Sequence, residues 1–153
     1  MKNYLFLLLT VASLPSCATQ GEATLNQRIT PIGVDQAYAE IRAAIESNPK
    51  LSIMAEVDHQ ANAARAGLQM RPSRLLIFGN PKMGTPLMKE ASTIAIDLPQ
   101  KILIYQNEVG QTVIVYNEAA YLAERHGIEG QEAILDKMAA ALDKIAGKGV
   151  HAP

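Results

Sequence analysis

The chain has one cysteine and no tryptophan, and its aromatic side chains are two phenylalanines and five tyrosines. The lone thiol, Cys17, excludes a disulfide framework, a zinc–thiolate cluster and a cysteine nucleophile. Charge of either sign is not in surplus: 14 Lys and Arg stand against 15 Asp and Glu, intermixed along the chain. With no basic stripe and few aromatics to stack on bases, a nucleic-acid groove is not expected. The three histidines, His59, His126 and His151, have no metal-ligand spacing, and GxSxG, HExxH and EF-hand patterns are missing. Neither a metal nor a cofactor is expected. No apolar run approaches the roughly 20 residues that a membrane-crossing helix needs.

What the chain does have at its start is "MKNYLFLLLTVASLPSC". Lys2 supplies a positive flank, Tyr4 to Ala12 a short apolar core, and Ser13 to Cys17 a small-residue cleavage region. This reads as a signal peptide over residues 1–16. Leu14-Pro15-Ser16-Cys17 resembles the lipobox of bacterial lipoproteins, with Pro15 a less common residue there. The resemblance implies that Cys17 becomes the mature N-terminus and carries lipid, which also accounts for the unpaired thiol. Ordinary cleavage leaving a free cysteine is the alternative. The expected location is the cell envelope. Because Ala18, rather than Asp, follows Cys17, the outer membrane facing the periplasm is favoured over the inner membrane. Residues 17–28 are polar and non-periodic and read as a lipidated flexible tether.

Residues 29–147 carry the periodic patterns of one domain, and 148–153 read as a frayed tail. A strand near Arg28 to Thr30 precedes a helix opened by Asp35 as N-cap, with Tyr38, Ile41, Ala44 and Ile45 on its apolar face. Leu51, Ile53, Ala55 and Val57 alternate as a strand with one buried face. A short helix from Gln60 to Ala66 stops at Gly67. "RLLIFG", Arg74 to Gly79, is a buried strand, and Thr85-Pro86 reads as an N-cap with proline at the first helical position. "KILIYQ" and "TVIVY" form a hairpin. Asn117 caps a helix to His126, and a longer helix from Gln131 to Ala146 follows, with Ile134, Met138, Ala141 and Ile145 facing inward. Hairpin-paired strands with helices predict an α+β two-layer sandwich, its mostly antiparallel sheet covered by helices on one face.

Three pieces of the stretch from Val57 to Gly127 carry a resemblance. They are "VDHQANAARAGLQMRPSRLLIFGNPKMGTPLM", "AIDLPQKILIYQNEVGQTVIVYN" and "LAERHGI". Their Asp-His before an alanine-rich helix, Phe-Gly-Asn-Pro and Asp-Leu-Pro are its specific parts. The stretch resembles the bacterial and archaeal family catalogued as domain of unknown function 302. The resemblance implies a compact α+β domain and no established activity.

The candidate site residues are Asp58, His59, Asn80, Lys82 and Asp97. Asp58-His59 has a functional reading, a carboxylate orienting an imidazole, and a structural one, Asp58 capping the next helix. Neighbours on a strand point to opposite faces, which favours the cap and leaves His59 as the best single reactive candidate. Gly79 and Gly84 share the spacing of a phosphate-binding loop, but the lysine after the second glycine is missing, so a tight turn is preferred. Asn80, Lys82 and the adjacent helix start form a weaker anion site. Asp97, before Leu98-Pro99, accepts turn amides or joins His59 or Lys82. Tyr105 and Tyr116 share a sheet face or lie on opposite ones. His126 reads as a C-terminal helix residue meeting the negative end of the dipole. No residue is assigned as catalytic.

Three readings follow: a lipid-anchored envelope domain binding a small molecule or protein partner, an enzyme using His59 and Asp97 as acid–base groups, or a structural envelope protein acting as a homodimer. The binding reading leads, the enzyme is the runner-up and the structural reading comes third. A pocket joining His59, Asn80 and Asp97 near the Gly79–Thr85 turn would support either of the first two readings, and a flat apolar sheet patch the third. The anchor has a direct test. Cys17→Ser is expected to abolish labelling by a fatty-acid probe and to free the domain from membranes. Continued labelling of the serine variant would overturn it.

Overall fold

The computed structural model describes residues 24–150. Cys17, the signal segment and the first part of the expected tether lie outside those residues. The elements run β1 (Leu25–Thr30), α1 (Val34–Glu46), β2 (Ser52–Asp58), α2 (His59–Arg65), β3 (Ser73–Gly79) and α3 (Pro81–Glu90). A 3-10 turn (Ser92–Ile96) leads to β4 (Gln100–Gln106), β5 (Thr112–Asn117), α4 (Ala119–His126) and α5 (Glu132–Ala146), with a final 3-10 turn (Gly147–Gly149). The five strands lie in the order β1-β5-β4-β3-β2, and every pairing is antiparallel. This is the expected α+β architecture.

Strand periodicity decides where the core sits. On β3, β4 and β5, Leu76, Phe78, Ile102, Ile104, Ile114 and Tyr116 point to one face and are buried. Ala37, Ile41 and Ile45 of α1, Leu87 of α3, Leu122 of α4 and Met138 and Leu142 of α5 close over them in a single cluster. Helix α2 buries none of its residues and stands outside that layer.

Several local expectations are corrected. The tether ends sooner than residue 28, because β1 starts at Leu25 and pairs along its length with β5. Arg28 fastens this edge strand: its guanidinium forms an ion pair with Asp143 and donates to the Tyr116 hydroxyl at 3.2 Å. Burial pushes the Tyr116 phenol above its ordinary value, opposed by the positive charge of Arg28. At the other end the chain is ordered beyond Gly147. Gly149 is buried, and a β-carbon there would sit 2.8 Å from the ends of Ile41 and Ile114, so the space belongs to the core.

Helix α1 begins at Val34, with Gly33 rather than Asp35 in the cap position. Asp35 lies in the first turn, where the dipole favours it, and pairs with Arg74 at 2.9 Å. The alternation read along β2 is broken by a bulge between Ile53 and Ala55. Ile53 therefore stands opposite Phe78 on the covered face, while Ala55 and Val57 stand opposite Ile77 and Leu75 on the other. Glu56 consequently points toward α1, where it meets Tyr38 and Arg42. Helix α3 starts five residues earlier than expected, at Pro81 rather than Pro86. Asn80 caps it by accepting from the Lys82 amide at 3.0 Å, and Pro81, not Pro86, holds the first helical position. Before α4, Glu118 rather than Asn117 takes the cap position.

Candidate functional site

The candidate residues divide between opposite ends of the sheet. Ser52 pairs with Gly79, and Asp58 pairs with Arg74, at the two ends of the β2–β3 ladder. Six residue steps at about 3.3 Å each separate these ends by about 20 Å. Asp58 and His59 are at one end. Asn80 and Lys82 are at the other, as is Asp97, because Gln100 pairs with Phe78. His59 is therefore not brought together with Asn80 or Asp97, and the expected three-residue pocket does not form.

At its own end, Asp58 is a helix cap. Its Oδ1 accepts from the Ala61 amide at 2.8 Å, and its Oδ2 lies 3.5 Å from the Arg74 guanidinium. Arg74 also stacks on Tyr38, its carbon 5.2 Å from the ring centroid. The extended backbone of Asp58 meets the first turn of α2 here, which is why a short acceptor side chain is needed. His59 occupies the first helical position, half-buried and without a hydrogen-bond partner.

Asp97 has a different partner from either one expected. Its Oδ2 lies 2.7 Å from His126 Nε2 and 3.4 Å from the Arg125 guanidinium. His126 Nδ1 lies 3.1 Å from the Thr93 hydroxyl. With Nε2–H donating to the carboxylate, Nδ1 accepts from Thr93. The order hydroxyl, imidazole, carboxylate is that of a hydrolase relay, but none of the three side chains lines a pocket described below. The His126 and Asp97 side chains are 5% and 13% exposed. The set latches the last residue of α4 to the turn between α3 and β4. Residues 97 and 126 are far apart in sequence and share no periodic pattern, so no local signal joins them. The Lys101 ammonium donates to the carbonyls of Asp97 and Pro99, at 2.9 and 3.1 Å, and completes this corner.

A pocket of about 200 Å³ opens at the end of the sheet where β3 runs into α3. Its wall takes in Gly79, Asn80, Pro81, Met83, Gly84 and Thr85, the turn singled out in the sequence. Leu51, Met54, Phe78, Met88, Leu98, Met138 and Leu142 supply the apolar remainder. Four of the chain's six methionines thus meet in one place. No local pattern joins them, because these residues come from β2, α3 and α5. Gln100 is the buried polar group of the wall, and its amide donates to the Met138 sulfur at 2.7 Å. Lys82 is exposed in the first turn of α3 and is not part of the wall.

The two glycines have steric roles here. A β-carbon on Gly79 would lie 3.2 Å from the Pro99 β-carbon, so β3 and the turn before β4 approach closely. A β-carbon on Gly84 would point among Leu98 and Met88, at 3.6 and 3.8 Å, inside the pocket region. The apolar wall does not suit a phosphate. A second, wider groove runs between α1 and α5, along Ala43, Ser47, Ala141, Lys144 and Lys148.

Residues 26–145 match the family described as Domain of unknown function DUF302. The chain belongs to the DUF302 family. Among solved structures it is similar to an uncharacterised conserved DUF302 protein from Bacillus stearothermophilus. The TM-score is 0.71 at 15% identity, covering 82% of this chain and 97% of the other, so the likeness is one of fold. Among curated proteins it is 40% identical over 86 residues to a protein of Brucella suis biovar 1 (strain 1330) named Fluoride-specific ion channel FluC 1. That match covers 56% of this chain and 34% of the Brucella protein. A protein of the same name from Brucella abortus biovar 1 (strain 9-941) is equally identical over the same length, which is 32% of it. The DUF302 chain spans about a third of the curated relatives it matches.

The capping and latch assignments have a joint test by thermal or urea melts. Asp58→Ala is expected to cost about 1 kcal/mol, as for other lost N-caps. His126→Ala is expected to cost more, about 1.5–3 kcal/mol, because it removes a hydrogen bond to the Asp97 carboxylate. His59→Ala should lie near the parent. If His59→Ala melted lowest of the three, His59 would have a partner and a role that this geometry does not give it.

Proposed function

We propose that this DUF302 chain is a lipid-anchored envelope domain whose folded part binds a small apolar molecule in the methionine-lined pocket. The observation that carries the binding reading is the wall itself, with four thioethers, Phe78, Leu51, Leu98 and Leu142 around one buried amide. Methionine is flexible and polarisable, and it adapts to apolar guests of different shape. A volume of about 200 Å³ is smaller than a drug-sized site. An engineered apolar cavity of about 150 Å³ takes benzene. The guest is therefore ring-sized, or the end of an acyl chain, with its polar part toward Asn80 and Thr85. Gly84 supports the same reading, since a glycine inside a helix costs about 1 kcal/mol relative to alanine and here leaves the wall open.

The anchor rests on the signal-like segment and Cys17. An acid–base role for His59 with Asp97 finds no support in their placement at opposite ends of the sheet. The Brucella proteins named as fluoride channels share only part of their length with this chain. Among its described residues no helix is long and apolar enough to cross a membrane. We read the shared segment as a part of those proteins that lies outside the membrane and contributes binding rather than an ion path.

The pocket has four natural reporters in its methionine methyl groups. Titration of benzene or hexanol into the full chain carrying ¹³C-methyl methionine should shift the signals of Met54, Met83, Met88 and Met138. Met70, which is outside the wall, should stay in place. Gly84→Leu should fill the pocket and suppress the shifts, while Gly84→Ala folds normally. Shifts confined to Met70, or none at all, would contradict the binding reading.

A further inference from the structure

The helices cover one face of the sheet, and the residues of the other face form a surface of a different kind. Strand register places Val57, Leu75, Leu103, Val115 and Gln27 in one row across all five strands. A second row holds Ser73, Tyr105, Val113 and Ile29, and a third Ala55, Ile77 and Lys101. Apart from Gln27, Ser73 and Lys101, these side chains are apolar or aromatic. None of them belongs to the cluster that the helices close over, although Val113 is itself only 3% exposed. Ile29 is 59% exposed. Tyr105 and Tyr116 thus lie on opposite faces, Tyr116 in the core and Tyr105 on this surface.

We propose that this uncovered sheet face packs against the same face of a second copy of the chain. Charge argues for a second copy. The three rows contain no Asp or Glu, and their one cation, Lys101, is held by the carbonyls of Asp97 and Pro99. Two such faces related by a two-fold axis therefore meet without like-charge repulsion, the requirement of a self-complementary interface. A face built for an anionic membrane would instead carry several cations around its apolar centre. Area argues the same way. Five strands about 4.8 Å apart and about 20 Å long present about 500 Å² of projected sheet. Side-chain relief and the edge residues raise that toward the roughly 800 Å² per partner of a stable complex. Sheets packed face to face are an established way to complete such a layer. Tyr105, on the central strand, has the amphipathic character of a residue that anchors an interface.

The test uses the full chain in its own membrane. A photo-crosslinking residue at position 103, on the uncovered face, should give a species of twice the chain's mass. The same residue at position 89, on α3, should not. Ile29→Asp, an exposed edge position, should lower the crosslinked fraction at least tenfold, while the methionine signals of the pocket stay unchanged. Val57→Asp, in the same row as position 103, should do the same and serves as the second variant. A crosslink from position 103 only to another protein or to lipid would overturn the proposal, as would the absence of any crosslinked dimer. Because the pocket is read out separately, failure of the dimer leaves the binding reading standing.

Discussion

Leu76, Phe78, Ile102, Ile104, Ile114 and Tyr116 form the apolar surface on which four helices close, and the rest of the structure depends on its burial. Each fully buried side chain of this size contributes about 1.5–3 kcal/mol relative to exposure. No disulfide or metal is needed to hold a layer of this extent. The same burial sets the direction of every charged residue around it. Arg28, Glu56 and Arg74 stand on the covered side of their strands, so their charges reach the rim of the helix layer and pair there with Asp143, Arg42 and Asp35. These pairs are partly exposed and fix orientation more than they add stability.

Covering one face of a sheet with helices leaves two kinds of unfinished surface. One is the opposite face, over which α1, α3, α4 and α5 do not close. The other is the sheet end where α3 leaves β3 and α5 passes over it, and where helix packing does not fill the volume. The pocket lies at that second place. Glycines at 79 and 84 keep it open, one by allowing close approach to Pro99 and the other by leaving its wall bare. Methionines fill the surroundings without rigidly closing them. The pocket and the second sheet face therefore follow from one architectural choice and occupy separate parts of the molecule.

What could be read from the sequence was what is local. The Asp58 cap was legible because its acceptor and the Ala61 amide lie three residues apart, and Gly67 and Gly127 because a left-handed residue commonly ends a helix. The hairpin of β4 and β5 was legible from its alternation and turn. Thr85-Pro86 misled because Asn80-Pro81 offers the same pairing earlier, and the first to cap takes the helix. The β2 bulge was hidden because one inserted residue changes the faces without changing composition. The Asp97–His126 latch and the methionine pocket were out of reach, since each joins elements that only the folded sheet brings together. The turn at Gly79–Thr85 was singled out as the place of a site, but the chemistry weighed there was a weak anion site at Asn80, Lys82 and the helix start, whereas the pocket wall is mostly apolar.

The central claim is that the methionine-lined pocket holds an apolar guest. Native mass spectrometry of the full chain, purified from its own host, tests it most directly. The expected result is a retained small apolar molecule on the parent chain and none on Gly84→Leu. The account would be contradicted if parent and variant carried the same molecule, or if the parent were recovered from the host with nothing bound.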